Sequence, residues 1–404
     1  MEIDSDIIIV GGGLNGSLLA IAAAKIGFST IVLDSKGNHG DELNSFDGRS
    51  YALAASSVRL LKNLDIFEDI RNYSQPILDI EILDGKLVQG PSQFSLHFDN
   101  NEIHNGPMGY MVEDRFIQKT LFAQILATNQ IDYKFDSKVT EHYQQGSYIS
   151  VQLDDGQKLR TRLVVGADGR NSNIAKRAKI KKSGWRYKQN ALVCAIEHEI
   201  DHKGLAWQYF LPNGPLAILP MTGNRSSIVW TEQTKNADAI NALDDNQYME
   251  ILNSRLGSFL GKSKLIGSRH SFPLELRIAN RFIDDRLALI GDAAHSVHPI
   301  AGQGLNAGFK DIAVLAHVIQ DSYCRGEDFG SLGVLKRYEE WRRFDSVQLA
   351  YSTDLFNRLF SNENEVLQVI RNIGIKILDS IPAAKRNIIK EAAGITGELP
   401  RLMR

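Results

Sequence analysis

Short apolar runs separated by glycine-rich turns mark the amino-terminal part of the chain. Residues 7–10 form a β-branched run, residues 17–27 have the composition of a buried helix, and residues 30–33 form a second apolar run. Unbroken apolar runs of this length are typical of strands that are covered on both faces of a parallel sheet. The pattern therefore predicts a strand, a helix and a second strand, in the order of a Rossmann-type unit.

Two further apolar runs each end near an acidic residue that stands beside a glycine. The run at 163–165 leads to Asp168, and the run at 287–290 leads to Asp292. We expect both runs to be buried strands whose acids lie at the carboxyl edge of the sheet, where open α/β sheets bind ligands. From residue 306 to residue 361 the pattern is mainly helical.

Alternation of apolar and polar positions between these two runs predicts antiparallel strands. The alternating segments are residues 191–196, 205–211, 216–219 and 226–231. Residues 76–83 and 94–98 are expected either to join this sheet or to bridge to it.

Together these elements predict an α/β fold with one domain that is discontinuous along the chain. We expect a discontinuous Rossmann-like domain, an antiparallel-sheet domain and a helical C-terminal region. The predicted boundaries are residues 1–75, 100–180 and 281–361 for the Rossmann-like domain, 76–99 and 181–280 for the sheet domain, and 362–404 for the helical region.

The first turn carries the glycine pattern of a dinucleotide-binding fingerprint. Gly11, Gly13 and Gly16 stand at GxGxxG spacing between the predicted strand and helix. In this pattern the first glycine permits the tight turn, the second lets a pyrophosphate approach the backbone, and the third lets the helix pack on the strand. Asp34 follows at about the 20-residue spacing of a carboxylate that bonds ribose hydroxyls. The segment predicts a dinucleotide site.

The segment that follows Asp292 predicts a second part of the same site. Pro299 and the Gly-Gln-Gly triplet at 302–304 precede a helix that is expected to begin at Asn306. The amino terminus of a helix presents unpaired N–H groups and partial positive charge, which suit an anion or an electron-rich carbonyl. Each motif alone is also compatible with an ordinary turn, but their order along the chain favours a cofactor site.

Composition and charge narrow the class of protein. The chain has 43% hydrophobic and 23% charged residues, which is typical of a globular protein, and its net charge of -2 provides no basic field for nucleic acid. Cys194 and Cys324 are far apart, so they suggest neither a disulfide framework nor a metal site. We expect no leader and no membrane-spanning run, and therefore a cytoplasmic protein that is soluble or peripheral at the inner face of a membrane.

The tail at 362–404 combines apolar positions at helical spacing with interspersed basic residues. The apolar positions are Val366, Leu367, Val369, Ile370, Ile373 and Ile377. A helix packed on its own domain is the expected arrangement, and contact with a membrane surface or an oligomer interface is the alternative.

Three motifs in this order identify a family resemblance. The segments GGGLNG at 11–16, GADGRNS at 166–172 and GDAAHSVHPIAGQGLN at 291–306 resemble those of the class A FAD-dependent aromatic monooxygenases, which have the para-hydroxybenzoate hydroxylase fold. Further segments resemble the ubiquinone-biosynthesis hydroxylases within that family. They are FDGRSYAL at 46–53, VEDRFIQKTL at 112–121, GPLAILPM at 214–221, SSIVWT at 226–231 and GITGELPRL at 394–402. The resemblance covers almost the entire chain.

The resemblance implies that the Rossmann-like domain binds FAD and that the sheet domain binds the substrate. The residues that it assigns to FAD are Gly11, Gly13, Gly16, Asp34, Arg49, Arg115, Asp168, Asp292, Pro299, Gly302, Gln303, Gly304 and Asn306. Asp292 would bind the ribityl chain, and the loop at 299–304 would line the isoalloxazine. The family's Asp-Gly motif continues Ser-x-x-Arg, but Ala175 stands at the arginine position here. Lys176 or Arg177 could supply the charge through a short shift.

The resemblance also implies a reaction. FAD reduced by NAD(P)H, a transient co-substrate, would react with O2, and the resulting C4a-hydroperoxide would hydroxylate the ring of a polyprenylated phenol. With one dinucleotide fingerprint and no CxxC, the chain does not match dithiol reductases. The alternatives are a prenyl-chain reductase or a halogenase of the same fold, or a flavin-bearing assembly subunit without turnover. A ubiquinone-biosynthesis complex and a homo-oligomer are also open.

No residue is predicted to be catalytic. His295 and His298 are interpreted as making local backbone bonds rather than transferring a proton. Trp207, Tyr209 and Trp230 are interpreted as core residues rather than substrate contacts.

Overall fold

The computed structural model describes most of the chain. The described residues are 3–37, 42–84, 95–99, 106–211, 213–296, 303–360, 386, 389–391 and 393–404. Pro299, Gly302, His298 and the apolar tail positions from 366 to 377 lie outside the described residues.

The elements of the described residues run in the following chain order. The strands are β1 (Ser5–Val10), β2 (Thr30–Leu33), β3 (Ser50–Ala54), β4 (Ser74–Ile77), β5 (Asp79–Asp84), β6 (Ser95–Asp99), β7 (Gly109–Glu113), β8 (Ile131–Lys134), β9 (Val139–Gln145), β10 (Tyr148–Leu153), β11 (Lys158–Gly166), β12 (Lys182–His198), β13 (Leu205–Leu211), β14 (Gly214–Met221), β15 (Arg225–Gln233), β16 (Ser263–Ala279), β17 (Ile283–Asp284), β18 (Leu287–Leu289) and β19 (His295–Ser296). The helices are α1 (Leu14–Lys25), α2 (Ala55–Asn63), α3 (Phe67–Ile70), α4 (Asp114–Ala127), α5 (Asn173–Arg177), α6 (Thr234–Asn241), α7 (Asp245–Leu256), α8 (Gln303–Cys324) and α9 (Leu332–Phe360).

The first sheet has the order β17-β18-β11-β1-β2-β8, with β10 and β9 added on β11. Strands β18, β11, β1, β2 and β8 are parallel. Val10 is in register with Gly166 and Leu33, and Gly166 is in register with Leu289. The strands that were predicted to precede the cofactor motifs are therefore neighbours, and their carboxyl ends lie at one edge.

Side-chain burial explains why these segments are strands and helices. The β-branched side chains of Ile7, Ile8 and Ile9 are completely buried, as expected for a strand covered on both faces. Helix α1 is buried almost all round because it also contacts α8 and α4. Its small alanine side chains allow this close packing of helices on the sheet.

The second sheet has the order β19-β16-β12-β15-β14-β13-β5-β6 and is antiparallel except where β13 pairs with β5. The segments predicted around residues 76–83 and 94–98 thus join it mainly as β5 and β6. One face packs against α6 and α7 through a cluster that contains Trp230, Tyr209 and Tyr248, with Trp207 packed against it. The interpretation of Trp230 and Tyr209 as core residues is confirmed, and Trp207 is partly buried beside them.

Strands β3, β7 and β4 form a small third sheet in that order. The end of the tail packs against α2, since the N–H of Ser56 donates to Ala393 O at 3.1 Å and Asn63 Nδ2 donates to Leu402 O at 3.0 Å. Among the helices of the described residues, none has the length and apolar character needed to cross a membrane. The predicted domain boundaries stay a prediction.

Candidate functional site

Hydrogen bonds join the turns that follow the neighbouring parallel strands. The N–H of Gly11 donates to Leu33 O at 2.8 Å, and the N–H of Ala167 donates to Val10 O at 2.8 Å. The N–H of Ile290 donates to Gly166 O at 3.0 Å. The three motifs that are far apart in sequence therefore form one continuous edge.

The fingerprint glycines have different surroundings. Gly11 has φ +107°, and a Cβ there would lie 2.5 Å from Ala167 O. A Cβ on Gly16 would lie 1.9 Å from Gly11 O, because the helix approaches the turn closely. A Cβ on Gly13 would meet no atom within 4 Å in the part of the chain that the structure describes. Gly13 therefore faces open space beside the amino terminus of α1, where a pyrophosphate could approach the backbone.

A cavity of about 1030 Å³ lies at this edge. Its lining includes Gly11, Gly12, Gly13, Asp34, Arg49, Tyr51, Asp114, Arg115, Tyr133, Asp168, Gly169 and Arg177. Gly11, Gly13, Asp34, Asp168 and both predicted arginines thus line one cavity, whereas Gly16 packs against the turn and is not among the described residues that line it. The lining combines these charged groups with apolar side chains such as Leu14, Phe122 and Phe135, which suits a ligand that carries both phosphates and an aromatic ring.

Asp34 has a partner that the sequence did not suggest. Tyr133 Oη lies 3.1 Å from Asp34 Oδ2 and 3.2 Å from Gly12 O. Burial and the neighbouring Asp34 raise the pKa of Tyr133, so its hydroxyl stays protonated and can donate. A Cβ on Gly12 would lie 1.8 Å from this hydroxyl oxygen. The only indication in the sequence is a tyrosine in the strand that pairs with β2.

The two predicted arginines are each held by acidic residues. Arg49 contacts Asp47 at 2.6 Å and Asp114 at 2.9 Å. Burial raises the pKa of Asp114, and Arg49 opposes this only in part. Arg115 contacts Glu113 at 2.7 Å. Because these pairs fix the guanidinium groups before any ligand enters, the cavity presents two oriented cations.

Asp168 precedes helix α5 and accepts hydrogen bonds from the first backbone N–H groups of that helix. One carboxylate oxygen accepts the N–H groups of Asn173 at 2.6 Å and Ile174 at 3.1 Å. The other oxygen is buried and has no hydrogen-bond partner among the described residues. That oxygen is available to a ligand hydroxyl. Arg177 lines the cavity two residues after Ala175, so a cation is present close to the position where the family's arginine is absent.

The third motif forms a tight turn after β18. Gly291 has φ +56°, and residues 291–293 form one turn of 3-10 helix that carries Asp292. Helix α8 begins at Gln303, three residues earlier than predicted, so Gly304 lies in its first turn. A Cβ on Gly304 would meet no atom of the described residues within 4 Å. This opening is consistent with a planar ring close to the backbone.

The third motif lies at the same sheet edge as the cavity, because the N–H of Ile290 donates to Gly166 O at 3.0 Å. Asp292, Gln303, Gly304 and Asn306 are not among the described residues that line the cavity. Burial raises the pKa of Tyr51, which does line it, and the charges of Asp114 and Asp292 raise that pKa further.

Asn306 makes bonds within the protein. Its Oδ1 accepts the N–H of Ala54 at 2.9 Å and the hydroxyl of Ser57 at 2.7 Å, and its Nδ2 donates to Ala52 O at 2.8 Å. These bonds tie α8 to the junction of β3 and α2. A cofactor contact of Asn306 stays a prediction.

His295 does not make the local backbone bond that we expected. Its Nε2 bonds Asp311 Oδ2 at 2.8 Å, and the ring is buried. Helix α8 places the carboxylate of Asp311 beside β19, so the imidazole of His295 bonds this carboxylate and not a backbone carbonyl. Asp311 also bonds Arg342 at 2.6 Å. The sequence did hold an indication of this network, since an acid that is followed by a long apolar run in a helix, as Asp311 is, is usually paired.

The described residues fit an extended dinucleotide such as FAD. Gly13 and Gly304 leave open space, Asp34 offers a carboxylate for ribose hydroxyls, and Asp168 has a buried oxygen without a partner. These four residues span the sheet edge from α1 to α8. This extent matches a ligand with a pyrophosphate in the middle and rings at its ends. Among the described residues no cluster of His, Cys, Asp and Glu could hold a metal ion.

Comparison with known proteins extends over the whole chain. Residues 4–349 match the family described as FAD binding domain. The ubiquinone hydroxylase UbiL of Rhodospirillum rubrum is 40% identical over 403 residues, which cover 99% of this chain and 92% of that protein. The 3-demethoxyubiquinol 3-hydroxylase of Escherichia coli is 31% identical over 397 residues, which cover 97% of this chain and 99% of that protein.

A solved structure shows a similar fold at low sequence identity. The p-nitrophenol 4-monooxygenase PnpA of Pseudomonas putida superposes with a TM-score of 0.80 at 18% identity, covering 98% of this chain and 100% of that one. This likeness confirms the predicted arrangement of a discontinuous Rossmann-like domain, an antiparallel sheet and C-terminal helices.

Proposed function

Because this chain belongs to the FAD-dependent aromatic monooxygenases of the ubiquinone-biosynthesis group, we propose that it hydroxylates the ring of a polyprenylated phenol with NAD(P)H and O2. The observation that carries the proposal is the similarity to UbiL over 99% of the chain, at 40% identity. Fold likeness alone does not establish a function, which has to be argued from the site. The site supports the proposal because the three motifs lie at one sheet edge.

The roles of the chain's residues follow from their positions. We assign the amino terminus of α1 and Gly13 to the pyrophosphate, Asp34 to the ribose, and Asp292 to the ribityl hydroxyls. The amino terminus of α8 at Gln303 and Gly304 would face the electron-rich edge of the flavin ring and stabilise negative charge there. The chemistry that FAD supplies when bound is the acceptance of hydride from a nicotinamide and the activation of O2.

We assign to the second sheet an apolar face that would cover the substrate ring. Val193, Val229 and Leu219 are only partly buried, and they alternate with the residues that pack on α6 and α7. Leu219 packs with the cluster that contains Met111, against which Ala52 also packs. This face of the sheet therefore looks toward the segment next to Tyr51. We assign to it the exclusion of water from the reacting ring.

The nicotinamide would bind only transiently. The chain holds one dinucleotide fingerprint, and we assign that fingerprint to FAD.

A polyprenyl chain is a lipid, so we propose that the enzyme meets its substrate at a membrane surface, in the cytoplasm, alone or within a biosynthetic complex. The absence of a free aqueous pool of such a substrate supports a peripheral location.

An anaerobic reduction experiment tests the proposal. The purified holoenzyme is mixed with NADPH or NADH, with and without a short-chain prenylphenol, and isotopically labelled O2 is then admitted. We expect faster flavin reduction when the phenol is present, and one labelled oxygen atom in the product ring.

Three outcomes would contradict the proposal. Reduction of the prenyl chain without ring oxygen would indicate a reductase. A halogenated product in the presence of halide would indicate a halogenase. A flavin that is reduced by neither nicotinamide and that produces no product would indicate an assembly subunit.

A further inference from the structure

The turn at Gly291 and Asp292 is held from behind by a buried carboxylate. Asp311, on α8, accepts the N–H of Gly291 at 2.7 Å and the Nε2–H of His295 at 2.8 Å through the same oxygen. Its other oxygen accepts Nε–H of Arg342 at 2.6 Å. We propose that Asp311 is a positioning residue for FAD, which acts by fixing the backbone that carries Asp292.

The network is deeply buried. Asp311 is 0% exposed, Arg342 is 1% exposed and His295 is 2% exposed. A carboxylate with so little solvent contact is stabilised only by the groups that face it. Burial alone would raise the pKa of Asp311, but His295 and Arg342 outweigh burial and hold it below its usual value. The carboxylate therefore stays ionised and can accept all three bonds at neutral pH.

The position of the bonds explains why the network concerns the cofactor turn rather than the core in general. Gly291 immediately precedes Asp292, and its positive φ turns the chain out of β18. A charge-assisted bond to the Gly291 N–H fixes this unusual conformation at its first residue. His295 leaves the same turn on its other side and begins β19 at that residue. Asp311 therefore holds both ends of the segment that presents Asp292.

Helix α9 supplies the counter-ion. Arg342 also contacts Asp345 at 2.8 Å and donates to Ala307 O at 3.2 Å. Its guanidinium is thus fixed by groups on both α8 and α9, and it cannot rotate away from Asp311 without breaking them. Asp345 is a useful contrast, because it shares the same arginine but has no bond to the cofactor turn in the described residues.

FAD binding by Asp311→Asn tests the inference. The apoprotein is titrated with FAD, and its affinity is measured from the flavin fluorescence, without substrate or nicotinamide. We expect the dissociation constant to rise about tenfold or more, since removal of such supporting groups typically misplaces the residue that they hold. The visible absorption bands of the bound flavin should shift as well, which a loss of stability alone would not produce.

Two variants separate positioning from general stability. Asp345→Asn removes the other carboxylate of Arg342 and should change the dissociation constant of FAD less than twofold. Asp328→Asn removes the partner of Arg286, which lies at the opposite end of β18, and should behave in the same way. Thermal unfolding of each apoprotein is measured in parallel.

The result that would overturn the inference is a D311N protein with wild-type FAD affinity and spectrum. If D311N does not fold, Asp311→Glu is measured instead, since it keeps the charge and displaces the carboxylate; unchanged affinity and spectrum there would also overturn it. The inference rests on FAD binding and not on the phenol, so a failed hydroxylation assay with normal FAD affinity would contradict only the proposed function.

Discussion

Adjacent glycines of the first turn differ in what a side chain would meet. A Cβ on Gly12 would collide with the hydroxyl of Tyr133, whereas a Cβ on Gly13 would enter open space. Gly12 is therefore constrained by the protein, and Gly13 has no such constraint among the described residues. Two reasons for a glycine at position 13 are therefore its place as the N-cap of α1 and the close approach of a ligand to the backbone.

Substitution of Gly13 separates folding from binding. We expect Gly13→Ala to lower the melting temperature of the apoprotein by a few degrees at most, through the poorer N-cap of α1, and to weaken FAD binding by about tenfold, which corresponds to ~1.4 kcal/mol. Gly333→Ala is the control, because its Cβ also meets open space but lies at the start of α9. Equal FAD affinity in both variants would remove Gly13 from the site.

The Asp292 carboxylate is tested in the same way. Asp292→Ala should reduce FAD affinity because a charge-assisted bond to a ribityl hydroxyl is lost, with an expected cost of about 1.5–3 kcal/mol. Asp284→Ala, at the end of the neighbouring strand β17, is the control. The measurement is retention of FAD through gel filtration, followed by titration. Wild-type retention by D292A would show that Asp292 does not bind the cofactor.

At the scale of elements, the local sequence pattern predicted the strands themselves better than it predicted their contacts with remote elements. The buried parts of strands β1, β2, β11 and β18 could be predicted because they are short apolar runs, and their order follows from the Rossmann topology. The polar first half of β11 was not predicted. The first half of β12 could not be predicted, because its exposed polar residues lack the alternation seen at 191–196. Partners such as Tyr133 and Arg342 come from remote elements, and no local spacing encodes them. Residues that act within one local turn, such as the fingerprint glycines, could therefore be predicted from the sequence, whereas their partners from distant elements could not.

Helices α8 and α9 are joined by the buried pair of Asp311 and Arg342. The pKa of Asp311 in the folded protein lies below its usual value, so the ionised form stabilises the fold at neutral pH. This stabilisation is lost as the pH falls through the folded-state pKa. Arg342→Met should cost ~3–5 kcal/mol at neutral pH, because it leaves Asp311 buried without its cation. The deficit should narrow at lower pH, because Asp311 can then be protonated.

Urea unfolding at pH 7.5 and pH 5 measures this effect. Arg343→Met is the matched control, since Arg343 is the exposed neighbour on the same helix and should change the free energy of unfolding by less than about 0.5 kcal/mol. The double variant D311N/R342M should recover part of the loss. A deficit that is equal at both pH values would contradict the expected role of the Asp311 charge.

At the scale of the whole molecule, the second sheet is attached near the cofactor cavity. Glu113 is 2% exposed and contacts Arg115 at 2.7 Å and Arg225, at the start of β15, at 2.9 Å. His270 Nε2 also bonds Asp47 O at 2.9 Å. These contacts connect the proposed substrate sheet to the segment that carries Arg49. These polar contacts and the apolar cluster around Met111 therefore hold the second sheet against the segment that carries Arg49.

Loss of the Arg225 contact should affect the substrate more than the cofactor. We expect Arg225→Met to raise the KM for the phenol about threefold to tenfold through misplacement of the sheet, while FAD affinity stays within about twofold of wild type. Lys264→Met is the control, because its pair with Glu197 is largely exposed and contributes little. Steady-state kinetics and FAD titration measure the two effects. An equal loss of FAD affinity would contradict this division.

A ribosome releases β1 and β11 long before it releases β18, yet these three strands are neighbours in the finished sheet. A nascent chain that ends at β16 contains the first two motifs and lacks the strand and helix that bring Asp292 and Gly304 to the edge. Contacts of such long sequence separation form late in folding, because the intervening chain must be ordered first. Cofactor loading is therefore expected to follow synthesis of α8, and a truncated product of incomplete translation would carry no flavin.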